Sequence, residues 1–173
     1  MKINIEGIKI FKSKIFFDKR GFFKEVYKEN LLPRKKFIFG CVSSSKKNVL
    51  RGLHIQVKNT QAKFLTIIKG RIFDVLVDLR KNSKTFGKYF SIYLSNKSYS
   101  SIYIPKGFAH GFYCLDEENI IYYGCSNYRK KNYEVGISWN DKDLKIKWPN
   151  KKPIISNKDS KNFSFKEYCK IFI

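Results

Sequence analysis

The sequence contains no run of about 18 apolar residues, which excludes an ordinary membrane-spanning helix. Its first residues, Met1-Lys2-Ile3-Asn4-Ile5-Glu6, lack the apolar core and the small-residue cleavage site of a secretory signal, so a cytoplasmic location and no membrane partner are expected. Cysteine is scarce. Cys41, Cys114, Cys125 and Cys169 form no C-x-x-C pair and match no common zinc spacing, so they are expected as free thiols that mostly pack. Acidic residues number only 14 against 36 basic ones, a net charge of +22. Such an excess attracts polyanions through counterion release. Yet only six of the basic residues are arginine, and no zinc finger, helix-turn-helix or RNP-type aromatic motif accompanies them, so no nucleic-acid partner is expected. The joint abundance of Lys, Asn, Ile, Phe and Tyr is what AT-rich codons would give. No Gly-x-Gly-x-x-Gly run is present to cradle a dinucleotide, and no cofactor is expected.

What the chain does have is apolar substance: 43% hydrophobic and 17% aromatic residues over 173 positions, enough for one domain spanning 1–173 with one core. The dominant periodicity is two. In Phe73-Asp74-Val75-Leu76-Val77-Asp78-Leu79 the odd positions are apolar and two even ones are Asp, the pattern of a half-buried strand. Phe64 to Ile68 precedes it across Lys69-Gly70, which predicts a hairpin. Further strands are predicted at 89–94, 101–104, 120–125 and 135–139. Turns are expected at Lys19-Arg20-Gly21, Phe86-Gly87-Lys88 and Pro105-Lys106-Gly107. Short helices are expected over Glu25 to Leu32, closed by Pro33, and over Asn162 to Ile173. Many short strands with frequent turns predict an all-β fold, a barrel or sandwich with a few short helices.

Histidine is nearly absent. His54 lies in Arg51-Gly52-Leu53-His54-Ile55-Gln56 and His110 in Pro105-Lys106-Gly107-Phe108-Ala109-His110-Gly111. Glycines beside a polar side chain suggest close approach of backbone to a ligand. The second segment fits Pro-x-Gly-x-x-His, a signature of cupin barrels. Metal-binding cupins carry His-x-His and a Glu earlier in the chain. Here that place holds His54-Ile55-Gln56, a poor transition-metal set, and no metal is expected.

Seven runs in order then resemble the dTDP-4-dehydrorhamnose 3,5-epimerase family over nearly the whole chain. They are residues 18–25 (Asp18-Lys19-Arg20-Gly21 at their start), 48–56 around His54, Gln61-Ala62-Lys63, 73–80, Thr85-Phe86-Gly87, 104–112 around His110, and Trp139-Asn140-Asp141. The resemblance implies a cupin-type jelly-roll β-barrel, a homodimer, a nucleotide-diphosphate 4-keto sugar as substrate, and proton chemistry without metal at C3, C5 or both. It implies His54 as general base and Asp159 as the carboxylate that orients it. It makes Tyr123, sixteen residues before Trp139, the acid on the opposite face, and Lys63 the cation near the ketone oxygen. Arg51, Gln56, His110 and Tyr128 are implied around the diphosphate and sugar. Arg20 and Glu25 are implied as substrate contacts, reaching the partner subunit's site.

This set suits the chemistry. A hydrogen beside a ketone leaves only with a base whose pKa lies near the working pH, such as imidazole, and with positive charge aimed at the enolate oxygen. Inversion needs a proton donor on the other face. By composition alone, Tyr123 is one of eleven tyrosines, Lys63 one of thirty lysines, and Asp159 a surface charge in a Lys-rich tail. The chain also departs from the family. Phe39-Gly40-Cys41 stands where Gln-x-Asn is usual near the nucleotide, Gly124 follows Tyr123 in place of a common Lys, and Arg129 replaces a common Tyr. A GDP-linked 4-keto sugar or a heptose therefore stands beside a dTDP-linked hexose as a substrate. Two further activities fit the same residues: a 3,4-ketoisomerase on the same barrel, and a non-catalytic cupin that binds carbohydrate or polyanion.

Overall fold

The computed structural model describes residues 5–28 and 36–173. Among these residues twelve strands and one α-helix follow one another. They are β1 (Lys9–Lys12), β2 (Ile15–Asp18), β3 (Gly21–Lys24), β4 (Phe39–Lys46), β5 (Leu50–Gln56), β6 (Lys63–Lys69), β7 (Arg71–Asp78), β8 (Tyr89–Ser95), β9 (Ser100–Ile104), β10 (Phe108–Cys114), β11 (Glu118–Cys125), β12 (Glu134–Gly136) and α1 (Phe165–Phe172). Two five-stranded antiparallel sheets face each other, in the orders β1-β9-β6-β11-β4 and β12-β5-β10-β7-β8, and β2-β3 form a separate two-stranded ribbon. This is the all-β jelly roll that the strand count implies. No helix among the described residues is long and apolar enough to cross a membrane.

The predicted hairpin across Lys69-Gly70 is not formed. Strand β6 bonds to β9 and β11 in one sheet, whereas β7 bonds to β8 and β10 in the other. The turn therefore carries the chain between sheets. Gly70 permits it with φ +84°, and a Cβ there would meet the Glu118 carbonyl oxygen at 2.3 Å. Alternation in sequence marks strand–turn–strand, but it does not say which strands pair.

Strand β7 is also not half-buried, because both of its faces are covered. Ile72 and Leu76 point between the sheets, with Leu65, Ile67, Ile102 and Ile121. Phe73, Val75 and Val77 point the other way, into a second core made with Ile137, Leu144 and Tyr168 and flanked by Trp139 and Trp148. The C-terminal segment thus forms an extra layer over the second sheet. Helix α1 closes it, starting at a capping box. Ser164 Oγ accepts from the Glu167 amide at 3.2 Å, and the Glu167 carboxylate accepts from the Ser164 amide at 2.8 Å. The helix expected over 162–173 is present, shortened by its cap. The helix expected over 25–32 is absent from 25–28 and otherwise lies outside the described residues.

Asp74 and Asp78 share the inter-sheet face of β7 with Ile72 and Leu76, so they are fully buried and must be satisfied internally. Asp78 accepts from the Arg80 guanidinium and from the hydroxyls of Ser83 and Thr85, which organises the turn at 80–88. Burial pushes its carboxyl up, but these donors outweigh burial and hold the pKa at about 2. Asp74 has a different partner, in the site.

Candidate active site

A cavity of about 670 Å³ opens between the two sheets at one end of the barrel. Its walls come from six strands and from the C-terminal tail. Strand β5 contributes Arg51 and His54, and β10 contributes His110. Strands β4, β6 and β11, on the facing sheet, supply Cys41, Lys63 and Tyr123.

Close strand packing sets the histidines. A Cβ on Gly52 would lie 2.5 Å from Gly111 Cα and 2.8 Å from the His110 carbonyl oxygen. The glycines beside the two histidines therefore let β5 and β10 approach each other, not a ligand. In that register His54 and His110 are direct partners across the ladder.

Each histidine has its own carboxylate. His54 Nε2 hydrogen-bonds Asp159 Oδ1 at 2.7 Å, and the Gly52 amide donates to Asp159 Oδ2 at 3.3 Å. Asp159 opens a short 3₁₀ turn (159–161) and is 4% exposed, although it stands in a lysine-rich tail. Burial raises its carboxyl, but the His54 hydrogen bond and charge outweigh that and lower it overall. A carboxylate accepts, so Nε2 donates and Nδ1 is left with its lone pair free. His110 Nε2 pairs in the same way with Asp74 Oδ1 at 2.7 Å, and Asp74 Oδ2 is buried without a partner among the described residues.

Tyr123 projects from the opposite sheet, with its ring 6.4 Å from that of His110 and its hydroxyl 3.1 Å from Ser43 Oγ. Burial drives its phenol far above the usual range, against the Ser43 hydrogen bond. The hydroxyl is therefore fully protonated at neutral pH. Burial also lowers the Lys63 ammonium from its ordinary value, against the pull of the Cys125, Glu134 and Cys41 charges. Arg51 is tied to β4 through Ser45 Oγ at 2.9 Å and the Ser44 carbonyl at 3.0 Å.

The cavity thus gathers His54, Asp159, Tyr123, Lys63, Arg51 and His110. Four more of the predicted residues do not line it. Gln56 is 5% exposed, and its amide holds two loops: it donates to the carbonyls of Asn59 and Tyr128 and accepts from the Lys130 amide. Tyr128 lies outside the cavity, its ring 6.3 Å from that of Phe39 and 62% exposed. Arg20 sits at the tip of the β2–β3 ribbon, bound to Asp18, and Glu25 pairs with Lys28.

Sequence reasoning missed Asp74, Glu134 and Lys158. Glu134 accepts two hydrogen bonds from Arg129, at 2.8 and 3.1 Å, and one from Lys158. Burial raises this carboxyl, but the two cations outweigh it and hold the pKa at about 2. Glu134 thereby fixes Arg129 and Lys158 as cations in the wall. Asp74 was visible as a charge in an apolar strand, but alternation placed it in solvent.

A family model described as dTDP-4-dehydrorhamnose 3,5-epimerase matches residues 2–167. The dTDP-4-dehydrorhamnose 3,5-epimerase of Salmonella typhimurium is 42% identical over 167 residues, covering 92% of this chain and 91% of that protein. The crystal structure of a Legionella pneumophila 3,5-epimerase in complex with dTDP-4-keto-L-rhamnose superposes with a TM-score of 0.90 at 38% identity, covering 96% and 92% of the two chains. A Bacillus anthracis dTDP-4-dehydrorhamnose 3,5-epimerase with TDP and pyrophosphate bound gives 0.89 at 37% identity, covering 95% and 98%. On a match of this extent the chain belongs to the dTDP-4-dehydrorhamnose 3,5-epimerase family and is an isomerase of the epimerase type.

Proposed function

We propose that the protein inverts the carbons flanking the ketone of a dTDP-linked 4-keto-6-deoxyhexose by proton transfer between two opposed groups. The observation that carries this reading is the placement of a carboxylate-paired imidazole and a protonated phenol on facing sheets of one cavity. The His54 imidazole takes the hydrogen beside the ketone, and Asp159 stabilises the imidazolium that forms. The electrons move onto the ketone oxygen, where Lys63 offers positive charge. Tyr123 then gives its proton to the carbon from the other face, and solvent restores both groups. A phenol held protonated by burial keeps its proton until a carbanionic carbon is there to receive it. Arg51, Arg129 and Lys158 supply cations for the diphosphate.

The test is incubation with the dTDP-4-keto sugar in D₂O, followed by NMR. Wild-type protein should place deuterium at C3, C5 or both, with inversion. Tyr123→Phe should keep exchange at one carbon or more while inversion falls about 10²-fold or further. A product with the carbonyl moved from C4 to C3 would point to a ketoisomerase instead, and no exchange at all would leave a binding module. A second reading of the nucleotide is favoured by Phe39, Cys41 and Arg129, which all line the cavity. These side chains suit a base other than thymine, such as the guanine of a GDP-linked 4-keto hexose or heptose. Thermal shifts with dTDP, GDP, UDP and CDP separate the two, since a ligand of the folded state raises its stability by linkage.

We further propose that the protein is a homodimer joined through the β2–β3 ribbon. Among the described residues the ribbon's strands pair only with each other, and Phe16, Phe17, Phe22 and Phe23 are 56–67% exposed on its two faces. An apolar patch of this kind marks an interface. Pairing would carry Arg20 and Glu25 toward the partner's cavity. Sedimentation should give twice the chain mass. Phe16→Ser with Phe23→Ser should shift it toward the monomer, and a monomeric wild type would refute the dimer.

A further inference from the structure

Two thiols share the cavity wall, and the epimerase chemistry uses neither. Cys41 on β4 is the register partner of Tyr123 on β11, and Cys125 lies two residues further along β11. Positions two apart on a strand share a face, so Cys41, Tyr123 and Cys125 all point into the cavity. Cys41 and Cys125 are diagonal neighbours on paired strands, and the positive charges of Lys63 and Arg129, which line the same cavity, act on the Cys41 sulfur. Cys41 is partly exposed and Cys125 is buried.

We propose that Cys41 is an oxidation site in the cavity, where hydrogen peroxide or a small organic hydroperoxide converts its thiolate to a sulfenic acid while Cys125 serves as hydrogen-bond donor to the sulfur. The thiolate sulfur attacks one peroxide oxygen, the O–O bond breaks and an S–O bond forms. Hydroxide, or the alkoxide of an organic hydroperoxide, leaves and takes up a proton to become water or an alcohol. The sulfur is oxidised by two electrons and the peroxide is reduced.

Reactivity of this kind follows thiolate character and access. The Cys125 hydrogen bond, joined by Lys63 and Arg129 and opposed by burial, brings the Cys41 thiol down to about 7. Burial takes Cys114 up to about 11, against a hydrogen bond from Ser45, and it also raises Cys169. Cys125 is driven upward by its Cys41 neighbour and by burial, so it stays a thiol and is a poor resolving nucleophile. Geometry agrees. Diagonal neighbours on paired strands have Cα atoms about 7–8 Å apart, beyond the usual disulfide range of about 4.4–6.8 Å. The product is therefore a sulfenic acid, not a disulfide. The added oxygen projects into the space beside Lys63 and Tyr123, so turnover should fall with oxidation and return with dithiothreitol.

The test treats the full chain with limiting hydrogen peroxide and traps sulfenic acid with dimedone. Peptide masses are then read, with no reliance on the epimerase assignment. Cys41 should be labelled about tenfold faster or more than Cys114 and Cys169. Cys125→Ser, which keeps a donor, should preserve that rate, and Cys125→Ala should slow it severalfold. Even labelling of all four cysteines, or labelling led by Cys169, would overturn the proposal. A Cys41–Cys125 disulfide, seen as the loss of two hydrogens, would overturn the role given to Cys125. The wild-type comparison stands even where a Cys125 variant fails to fold.

Discussion

Exchange of His54 for Asn should lower turnover about 10³–10⁴-fold and abolish deuterium uptake at every carbon, while the folded state survives. The argument starts from the 2.7 Å bond between His54 Nε2 and Asp159 Oδ1. That bond fixes which ring nitrogen carries the proton and leaves the other as the base. Asparagine fills a similar volume and can still hydrogen-bond Asp159, but its amide does not accept a proton at neutral pH. Asp159→Asn should lower turnover by a comparable factor for another reason. An amide partner does not enforce the tautomer, and it offers no negative charge to the imidazolium. Nucleotide binding should change little in either variant, since the diphosphate cations lie elsewhere in the wall. Deuterium uptake persisting in His54→Asn at more than about a tenth of the wild-type rate would mean that another group is the base.

Lys63→Met should cost about 10²–10³-fold in kcat with a smaller effect on KM. Methionine keeps the length and the apolar stem and removes only the charge. Negative charge develops on the ketone oxygen only as the hydrogen leaves, so a cation placed there stabilises the transition state more than bound substrate. Burial has already brought the Lys63 ammonium below its ordinary value, so the group is poorly hydrated before substrate arrives. A weakly screened charge acts strongly on a nearby oxyanion. A rise in KM with unchanged kcat would instead make Lys63 a phosphate-binding residue. Lys63→Arg discriminates further, because it restores charge but not shape.

The sequence showed the fold class because strands leave a two-residue alternation and turns leave Gly, Pro and Asn. It did not show pairing. Phe64 to Leu79 looks like one hairpin and is two strands of different sheets, since the same alternation serves either arrangement. Burial of Asp74 was hidden for a related reason. The apolar odd face of β7 is covered by residues around Trp148 and Tyr168, far downstream, so the even face with Asp74 is the one that looks between the sheets, and local pattern holds no trace of that. The site was legible only in part. His54 and His110 stood out by rarity and by their glycines, although those glycines serve strand approach. Tyr123, Lys63 and Asp159 have nothing local to mark them, and ordered motifs alone singled them out. Glu134 left no signal, because its work is to hold Arg129 and Lys158, and ion pairs across loops have no fixed spacing.

The carboxylate that prepares His54 lies 105 positions further along the chain, in a tail that follows the last strand. During synthesis the histidine therefore emerges long before its acidic partner exists. A barrel lacking the docked tail would carry every other reactive side chain and still be idle. Catalytic competence requires that tail in place, so its onset in a refolding experiment should report the closing of the final layer.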